Sequence, residues 1–311
     1  MAEASPFLAS KSRYAVVTGG NKGIGFEICR QLASKGIMVV VTARNEKRGL
    51  QAVDNLIKEY GLSPHLLVFH QLDVTDSASA ASLADFIKTQ FGKLDILVNN
   101  AATLGASAHS DAFLSAVQES GGWYELEGTG VDMNEYFVQT YETAEECLNT
   151  NYHGYKRMVE ALVPVLQLSD SPRIVNVSSF LGMLKYMPNE KIRAVLNDVE
   201  SLTEEKIDEI WKKLFQDVKD GKSLEKEGWP QYLSAYMLSK MSINSYTRIV
   251  AKKYPTMMVN CVDPGFVKTD INCNAGTMTV NEGGERPVKV ALLPHGSSTG
   301  LFYRDNQVSS F

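Results

Sequence analysis

The sequence predicts an α/β fold: a single doubly wound parallel sheet of about seven strands with helices on both faces. Short apolar runs alternate along the chain with segments of helical periodicity, the pattern of a sheet buried from both sides. The first run opens directly onto a glycine-rich turn, Thr18-Gly19-Gly20-Asn21-Lys22-Gly23-Ile24-Gly25. No Pro/Ser-rich linker or shift of composition divides the 311 residues, so 1–311 reads as one domain, long enough to bury a large core.

The first strand is expected at 14–18, where Tyr14-Ala15-Val16-Val17 is rich in strand formers. After the turn, Ile24, Ile28 and Leu32 recur at helical spacing until Gly36 stops the segment. Strand, glycine turn and helix in that order form a Rossmann-type dinucleotide cradle. Glycines let the backbone bend tightly and approach a phosphate, and the unpaired N–H groups at the helix start stabilise its charge. Thr18, Gly19, Asn21, Lys22, Gly23, Ile24 and Gly25 are therefore cofactor-binding candidates. Out of this context the turn would be an ordinary glycine-rich loop.

The second strand, 37–43, ends in Ala43-Arg44 with no carboxylate at its tip to accept from a ribose 2′-OH. Arg44 would make charge-assisted bonds to a 2′-phosphate, with Lys22 as a second cation, which selects NADPH/NADP+ over NAD. The alternative is a pair of solvated surface cations. Further strands are expected at 65–70, followed by Asp73, and at 95–99, followed by Asn100-Ala101-Ala102. A strand at 173–177 leads into Ser178-Ser179-Phe180, one at 257–262 into Asp263-Pro264-Gly265, and the last lies at 301–303. All these polar residues fall at C-terminal strand ends, where right-handed crossovers place a ligand.

Two segments exceed what the alternation needs. Residues 103–135 are Gly/Ser-rich and weakly periodic, and residues 183–230 hold an expected helix, Thr203 to Lys219, ahead of Gly228-Trp229-Pro230. Both start at strand C-terminal ends and read as lids that shield a hydride transfer from water. The alternative is surface elaboration.

Tyr236 and Lys240 stand four apart, which puts them on one face of a helix. An ammonium beside the phenol would pull its pKa from about 10 toward neutral and make it a usable general acid. Tyr152 and Lys156 repeat the spacing, so context decides. Tyr236 opens the helix after the fifth strand, whereas Tyr152 lies mid-helix before it and reads as a packing residue. Hydroxyls at the fifth-strand tip can donate to an oxygen that gains negative charge. No Gly-x-Ser-x-Gly elbow makes Ser179 a hydrolase nucleophile.

Composition excludes several classes. A formal charge of -5, with the basic run Arg44 to Arg48 diluted by Glu46, argues against nucleic acid. No run of about eighteen apolar residues and no basic start ahead of a long apolar stretch occurs, so no membrane partner and a cytoplasmic location are expected. Cys29, Cys147, Cys261 and Cys273 lie far apart and read as reduced thiols, and His65, His70, His109, His153 and His295 lack metal-ligand spacing, so no metal is expected.

As a set, Thr-Gly-x3-Gly-x-Gly at 18–25, Asn-Asn-Ala at 99–101, Asn151, Ser179, Tyr-x3-Lys at 236–240 and Pro-Gly at 264–265 resemble the short-chain dehydrogenase/reductases. The long inserts are similar to those of that family's plant salutaridine reductase and menthone reductase group, mostly monomeric NADPH-using ketone reductases. The resemblance implies that Ser179 donates to the carbonyl and Tyr236 supplies the proton. It implies that Lys240 holds the nicotinamide ribose while lowering the tyrosine pKa, and that Asn151 anchors a water linking Lys240 to solvent. On the cofactor it places Asp73, Val74 beside the adenine, Asn100, Ala101, Pro264, Gly265, Val267, and Thr269 at the carboxamide. Thr269 as a helix cap is the alternative.

Three residues depart from the pattern: Ala102 for a glycine, Asp263 for a smaller uncharged residue, and Phe180 for a small one. Phe180, Leu181, Met183 and Phe266 are the substrate-pocket candidates, with core packing as their alternative. The expected reaction is hydride transfer from NADPH to a bulky apolar ketone or aldehyde of terpenoid or alkaloid type, giving an alcohol. Reduction of an enone C=C bond and a catalytically silent NADPH-binding protein are the other readings. A monomer is expected, because the 103–135 insert precedes the long helix through which family dimers pack and would cover it.

Overall fold

A computed structural model of the chain describes residues 12–311; residues 1–11, part of the amino-terminal stretch read above, lie outside the described residues. The first half alternates as expected: β1 (Tyr14–Val17), α1 (Gly23–Ala33), β2 (Met38–Ala43), α2 (Glu46–Lys58), β3 (Leu67–Gln71), α3 (Ser77–Phe91) and β4 (Ile96–Asn99). Side chains fix these boundaries. Asn45 accepts from the Arg48 N–H to start α2, Asp76 caps α3, and Gly92, in the left-handed region at φ 74°, ends it.

Next come β5 (Ser107–Ala108), α4 (Ser110–Ser120), α5 (Trp123–Gly128), β6 (Phe137–Val138) and α6 (Tyr141–Cys147). A π-helical stretch, Leu148–His153, joins α6 to α7 (Gly154–Leu166), and β7 (Arg173–Val177) follows. The chain closes with α8 (Glu190–Asn197), α9 (Glu204–Lys219), α10 (Ser234–Lys253), β8 (Met258–Val262), α11 (Val280–Ala291), β9 (Phe302–Arg304) and β10 (Gln307–Ser309).

Eight strands, not about seven, form the main sheet, in the order β10-β9-β8-β7-β4-β1-β2-β3. Seven are parallel and β10 returns antiparallel to β9. That extra strand is three residues, two of them polar, beyond a turn at Asp305 and Asn306 whose φ values are positive. It is too short and too polar to register as an apolar run. The order reverses between β1 and β4, which opens a crevice at their C-terminal ends.

Alternation along the strands sends the core to both faces. Val16, Val40 and Leu97 pack with Leu83, Ile87, Met158 and Leu238 on one side, and Val17, Val41 and Val98 with Ile28, Leu32 and Val288 on the other.

The first insert is more regular than its weak periodicity suggests, and the second holds the expected helix. In the first, the α4 and α5 helices and the β5–β6 ribbon close around Phe113, whose ring lies 4.8 Å from Phe137 and 5.6 Å from Trp123. In the second, Thr203 caps α9 as expected, and that helix lies against the backs of α10 and α7. Trp211 Nε1 donates to Ser242 Oγ at 3.0 Å, and Lys156 pairs with Glu204 at 2.8 Å.

Candidate active site

The crevice widens into a cleft of about 810 Å³. Thr18 holds its two banks together from beneath: its buried hydroxyl accepts the Asn100 N–H at 2.8 Å and the Ala101 N–H at 2.9 Å. Asn100 Nδ2 donates back to the Thr18 carbonyl. Thr18 is thus a strut below the cleft and not part of its wall, unlike the other residues of the turn picked from sequence.

The turn fits a pyrophosphate. Gly23 lies in the left-handed region at φ 54°, and a side chain at Gly25 would meet Gly19 and Asn100. Lys22 caps α1 with no side-chain bond, and the first turn of that helix carries no acid, so its N–H groups face the cleft unneutralised. These residues form a cradle for a dinucleotide anion.

Arg44, Asp73, Val74, Asn100 and Ala101 line the same cleft, with Pro264, Gly265, Val267 and Thr269 opposite. The Asp73 carboxylate accepts from its own loop, at the N–H and hydroxyl of Thr75, and so shapes that bank. Thr269 lines the cleft and also stands at the cap position of the short turn Asp270–Asn272. Lys22 lines the cleft as well, and its ammonium pairs with Asp270 at 2.6 Å, bridging the two banks in the open.

Ser179 sits at the tip of β7, its hydroxyl accepts the Leu181 N–H at 3.2 Å, and it shares the cleft wall with Tyr236, whose phenol it helps to acidify. Tyr236 lies in the first turn of α10, with Lys240 one turn further, its Nζ 5.5 Å from the ring centroid. Lys240 is buried and donates to the Val177 carbonyl at 3.0 Å. Burial pushes its pKa down to about 8.

The phenol moves opposite to the sequence expectation. Burial first, then Cys147 and Asp263, push the Tyr236 pKa up, with only the Ser179 hydroxyl pulling it down. The physical reason is that the Lys240 ammonium is held by the Val177 carbonyl beside the ring face, in a low-dielectric wall that disfavours phenolate.

Asn151 is buried in the π-helical stretch, off the cleft wall. Its Oδ1 accepts from the Thr103 N–H at 2.9 Å, and its Nδ2 donates to the Thr103 carbonyl, Ser239 Oγ and Cys147 Sγ. Its side chain clamps the strand-β4 loop to α10. Tyr152, the decoy, is fully buried, as a packing residue should be.

Phe180, Leu181 and Phe266 line the cleft beyond Ser179, but Met183 does not: its sulfur turns to Arg304. Sequence reasoning missed most of this wall. Leu104, Phe113 and Trp123 come from the first insert, Phe137 from β6 just beyond it, and Leu233 from the start of α10. Two aromatic residues ten apart in a Gly/Ser-rich stretch were the available signal. The second insert contributes no residue to the wall among the described residues. Gln139, just after the ribbon, caps the helix of Tyr236 by accepting the Ala235 N–H at 2.8 Å.

A doubly wound sheet whose switch-point cleft joins a bare helix N-terminus to a Ser-Tyr-Lys cluster defines an oxidoreductase of the short-chain dehydrogenase class. The family model described as short chain dehydrogenase matches residues 13–190, and the chain belongs to that family, which binds a nicotinamide cofactor. The chain is 56% identical to short-chain dehydrogenase/reductase 1 of Saponaria officinalis over 100% of both chains. It is 52% identical to (+)-neomenthol dehydrogenase of Arabidopsis thaliana, again over 100% of each. Salutaridine reductase from Papaver somniferum superposes with a TM-score of 0.87 at 51% identity, covering 94% of this chain and 99% of that one.

Proposed function

We propose that residues 1–311 form one NADPH-dependent carbonyl reductase domain that converts a bulky apolar ketone or aldehyde, of terpenoid or alkaloid type, to an alcohol. The observation that carries this reading is that Ser179, Tyr236 and Lys240 meet on one wall of the cleft, with the Lys240 ammonium 5.5 Å from the Tyr236 ring and an apolar, aromatic wall in front. The relatives' names, neomenthol dehydrogenase and salutaridine reductase, support it.

In this reading the bare N-terminus of α1 holds the pyrophosphate and Arg44 the 2′-phosphate. When bound, the reduced nicotinamide supplies the hydride. Ser179 donates to the carbonyl oxygen and fixes its place, and Tyr236 passes its phenolic proton to that oxygen as it gains charge. A raised phenol pKa keeps this proton in place until the oxygen becomes basic enough to take it. Lys240 keeps a positive charge beside the ring and the cofactor ribose, and Asn151 holds the Thr103 backbone that walls this end.

NADPH oxidation with menthone, a cyclic terpenoid ketone, tests the reading. Tyr236→Phe should lose about 10²–10⁴-fold in kcat, the usual scale of a positioned general acid. Full activity in that variant rules this acid out. Product analysis distinguishes the alcohol from the saturated ketone of an enone reductase, and tight NADPH binding with no oxidation across a ketone panel supports a silent binding protein.

The reading includes a cytoplasmic monomer. Among the described residues no helix is long and apolar enough to cross a membrane. The second insert, and not the first as expected from sequence, covers the backs of α7 and α10. A stable dimer in light scattering overturns the monomer.

A further inference from the structure

We propose that Asp263 is a positioning residue, whose buried carboxylate holds the Pro264-Gly265 turn in one fixed register beside the serine loop and the reacting atoms. The proposal rests on the reductase reading above.

Asp263 ends β8 and is 3% exposed, yet it is not part of the cleft wall. It acts through neighbours that are. Its Oδ1 accepts the Gly265 N–H at 3.0 Å, and the Phe180 amide favours the ionised carboxylate. Phe180 follows Ser179, whose own hydroxyl accepts the next amide, that of Leu181.

Gly265 has no slack to absorb an error. Its φ is 89°, and a side chain there would meet the Met278 sulfur and, at 2.9 Å, Arg286 Nη1. Asp263 is itself pinned, its N–H donating to the Tyr303 carbonyl at 2.8 Å. A carboxylate is costly to bury, and here its charged partners are distant. Arg304 Nε stands 3.9 Å from Oδ2, and Arg286 pairs instead with Asp305 at 2.8 Å. An uncharged residue would close the strand end more cheaply. What the charge adds is a strong N–H bond to the Gly265 turn and a field that reaches the Phe180 amide of the serine loop.

The charge is also felt at the reacting groups. It adds to Cys147 in disfavouring phenolate at Tyr236, and in favouring the ammonium at Lys240, while Arg304 and Arg286 face it from β9 and α11.

The test uses the full-length enzyme with Asp263→Asn and Asp263→Ala. It measures kcat and KM for menthone with NADPH, NADPH affinity by fluorescence, and the pH profile of neomenthol oxidation with NADP+. Positioning predicts kcat lower by about ten- to a hundredfold, with KM and NADPH affinity changed less than about threefold. It also predicts an alkaline rise in oxidation displaced to lower pH, because phenolate forms more easily without the carboxylate. A purely structural role would lower activity only in step with folded protein and leave the pH profile in place. That outcome overturns the proposal, as does wild-type kcat or a loss confined to NADPH affinity.

If neither variant accumulates, Arg304→Gln serves. Without the guanidinium the carboxyl takes up a proton at higher pH, so the acid limb of kcat should move up, and an unmoved limb overturns the proposal. Tyr236→Phe is run in parallel. Full activity there sinks the reductase reading, whereas a Tyr236-dependent enzyme with indifferent Asp263 variants sinks only this inference.

Discussion

Gly25→Ala is the sharpest probe of the glycine turn, because the structure gives its cost directly. A Cβ at Gly25 would lie 2.5 Å from Asn100 Nδ2 and 2.9 Å from the Gly19 carbonyl carbon, and closer still to the Gly19 oxygen. Side-chain carbons keep about 3.0 Å or more from such atoms, so the start of α1 must retreat by at least about 0.5 Å. Neither neighbour yields easily. One is backbone, and the other donates to the Thr18 carbonyl at 2.9 Å as part of the strut between β1 and β4.

Overpacking of this kind costs about 1–3 kcal/mol of stability. Its larger effect falls on the bare N–H groups that the helix turns toward the cleft. Losing one charge-assisted hydrogen bond costs about 1.5–3 kcal/mol, and about 1.4 kcal/mol is a factor of ten in affinity. NADPH should therefore bind about ten- to a hundredfold more weakly, as read by titration of its fluorescence. Gly36→Ala is the control: its φ is 78° but nothing lies within 4 Å of the new methyl, so it should lower Tm and leave NADPH affinity alone. Gly25→Ala binding NADPH as wild type does, with a normal Tm, would refute the cradle.

Two further predictions concern the cations. Lys240 has a pKa lowered to about 8 from the usual 10.5, so its ammonium is present below that pH and lost as pH rises through it. The kcat/KM for ketone reduction should fall with a midpoint near pH 8, and a profile flat to pH 9 would show that the charge is not needed. Arg44→Ala should weaken NADPH binding by about tenfold or more and change NADH by less than about twofold, since only the former carries the 2′-phosphate. Equal losses for both cofactors, measured by the same titration, would place Arg44 elsewhere.

What the sequence made legible were features written in local spacing. The glycine turn between a Tyr14-Ala15-Val16-Val17 strand and an Ile24-Ile28-Leu32 stripe is one, and the polar residues at each strand tip are another. Direction and environment were not legible. Four-residue spacing puts Tyr236 and Lys240 on one face, but only the fold supplies the Val177 carbonyl that captures the ammonium and the burial that raises the phenol pKa. Both inserts leave strand ends at the cleft, yet only the first stays there. Phe113, buried among Trp123, Tyr136 and Phe137, organises its helices of eleven and six residues, too short to show in a Gly/Ser-rich stretch. The second turns away because Trp211 and Trp229 find polar partners in Ser242 and Asp217.

That second turn accounts for a helix that obeys no amphipathic rule. From Ser234 to Ala251, α10 is buried almost throughout, although it carries Ser242, Asn244, Ser245, Thr247 and Arg248. A helix with such a back would ordinarily show it to water. Here most of its polar atoms are matched from several sides, Ser242 by Trp211 and the Leu238 carbonyl, Asn244 Nδ2 by the Gly182 carbonyl and an Arg248 Nη by the Leu196 carbonyl, while Asn244 Oδ1 and Arg248 Nε are left without a partner among the described residues. Two of these partners, Trp211 and Leu196, belong to the second insert, and Gly182 belongs to the turn that follows Ser179. The insert remote from the cleft therefore braces the helix of Tyr236 and Lys240, while Gln139 beside the first insert holds its start. A second copy packing on this face would have to displace Trp211 and orphan the polar groups it meets. The bracing that keeps Tyr236 beside Ser179 thus supports the monomer proposed above.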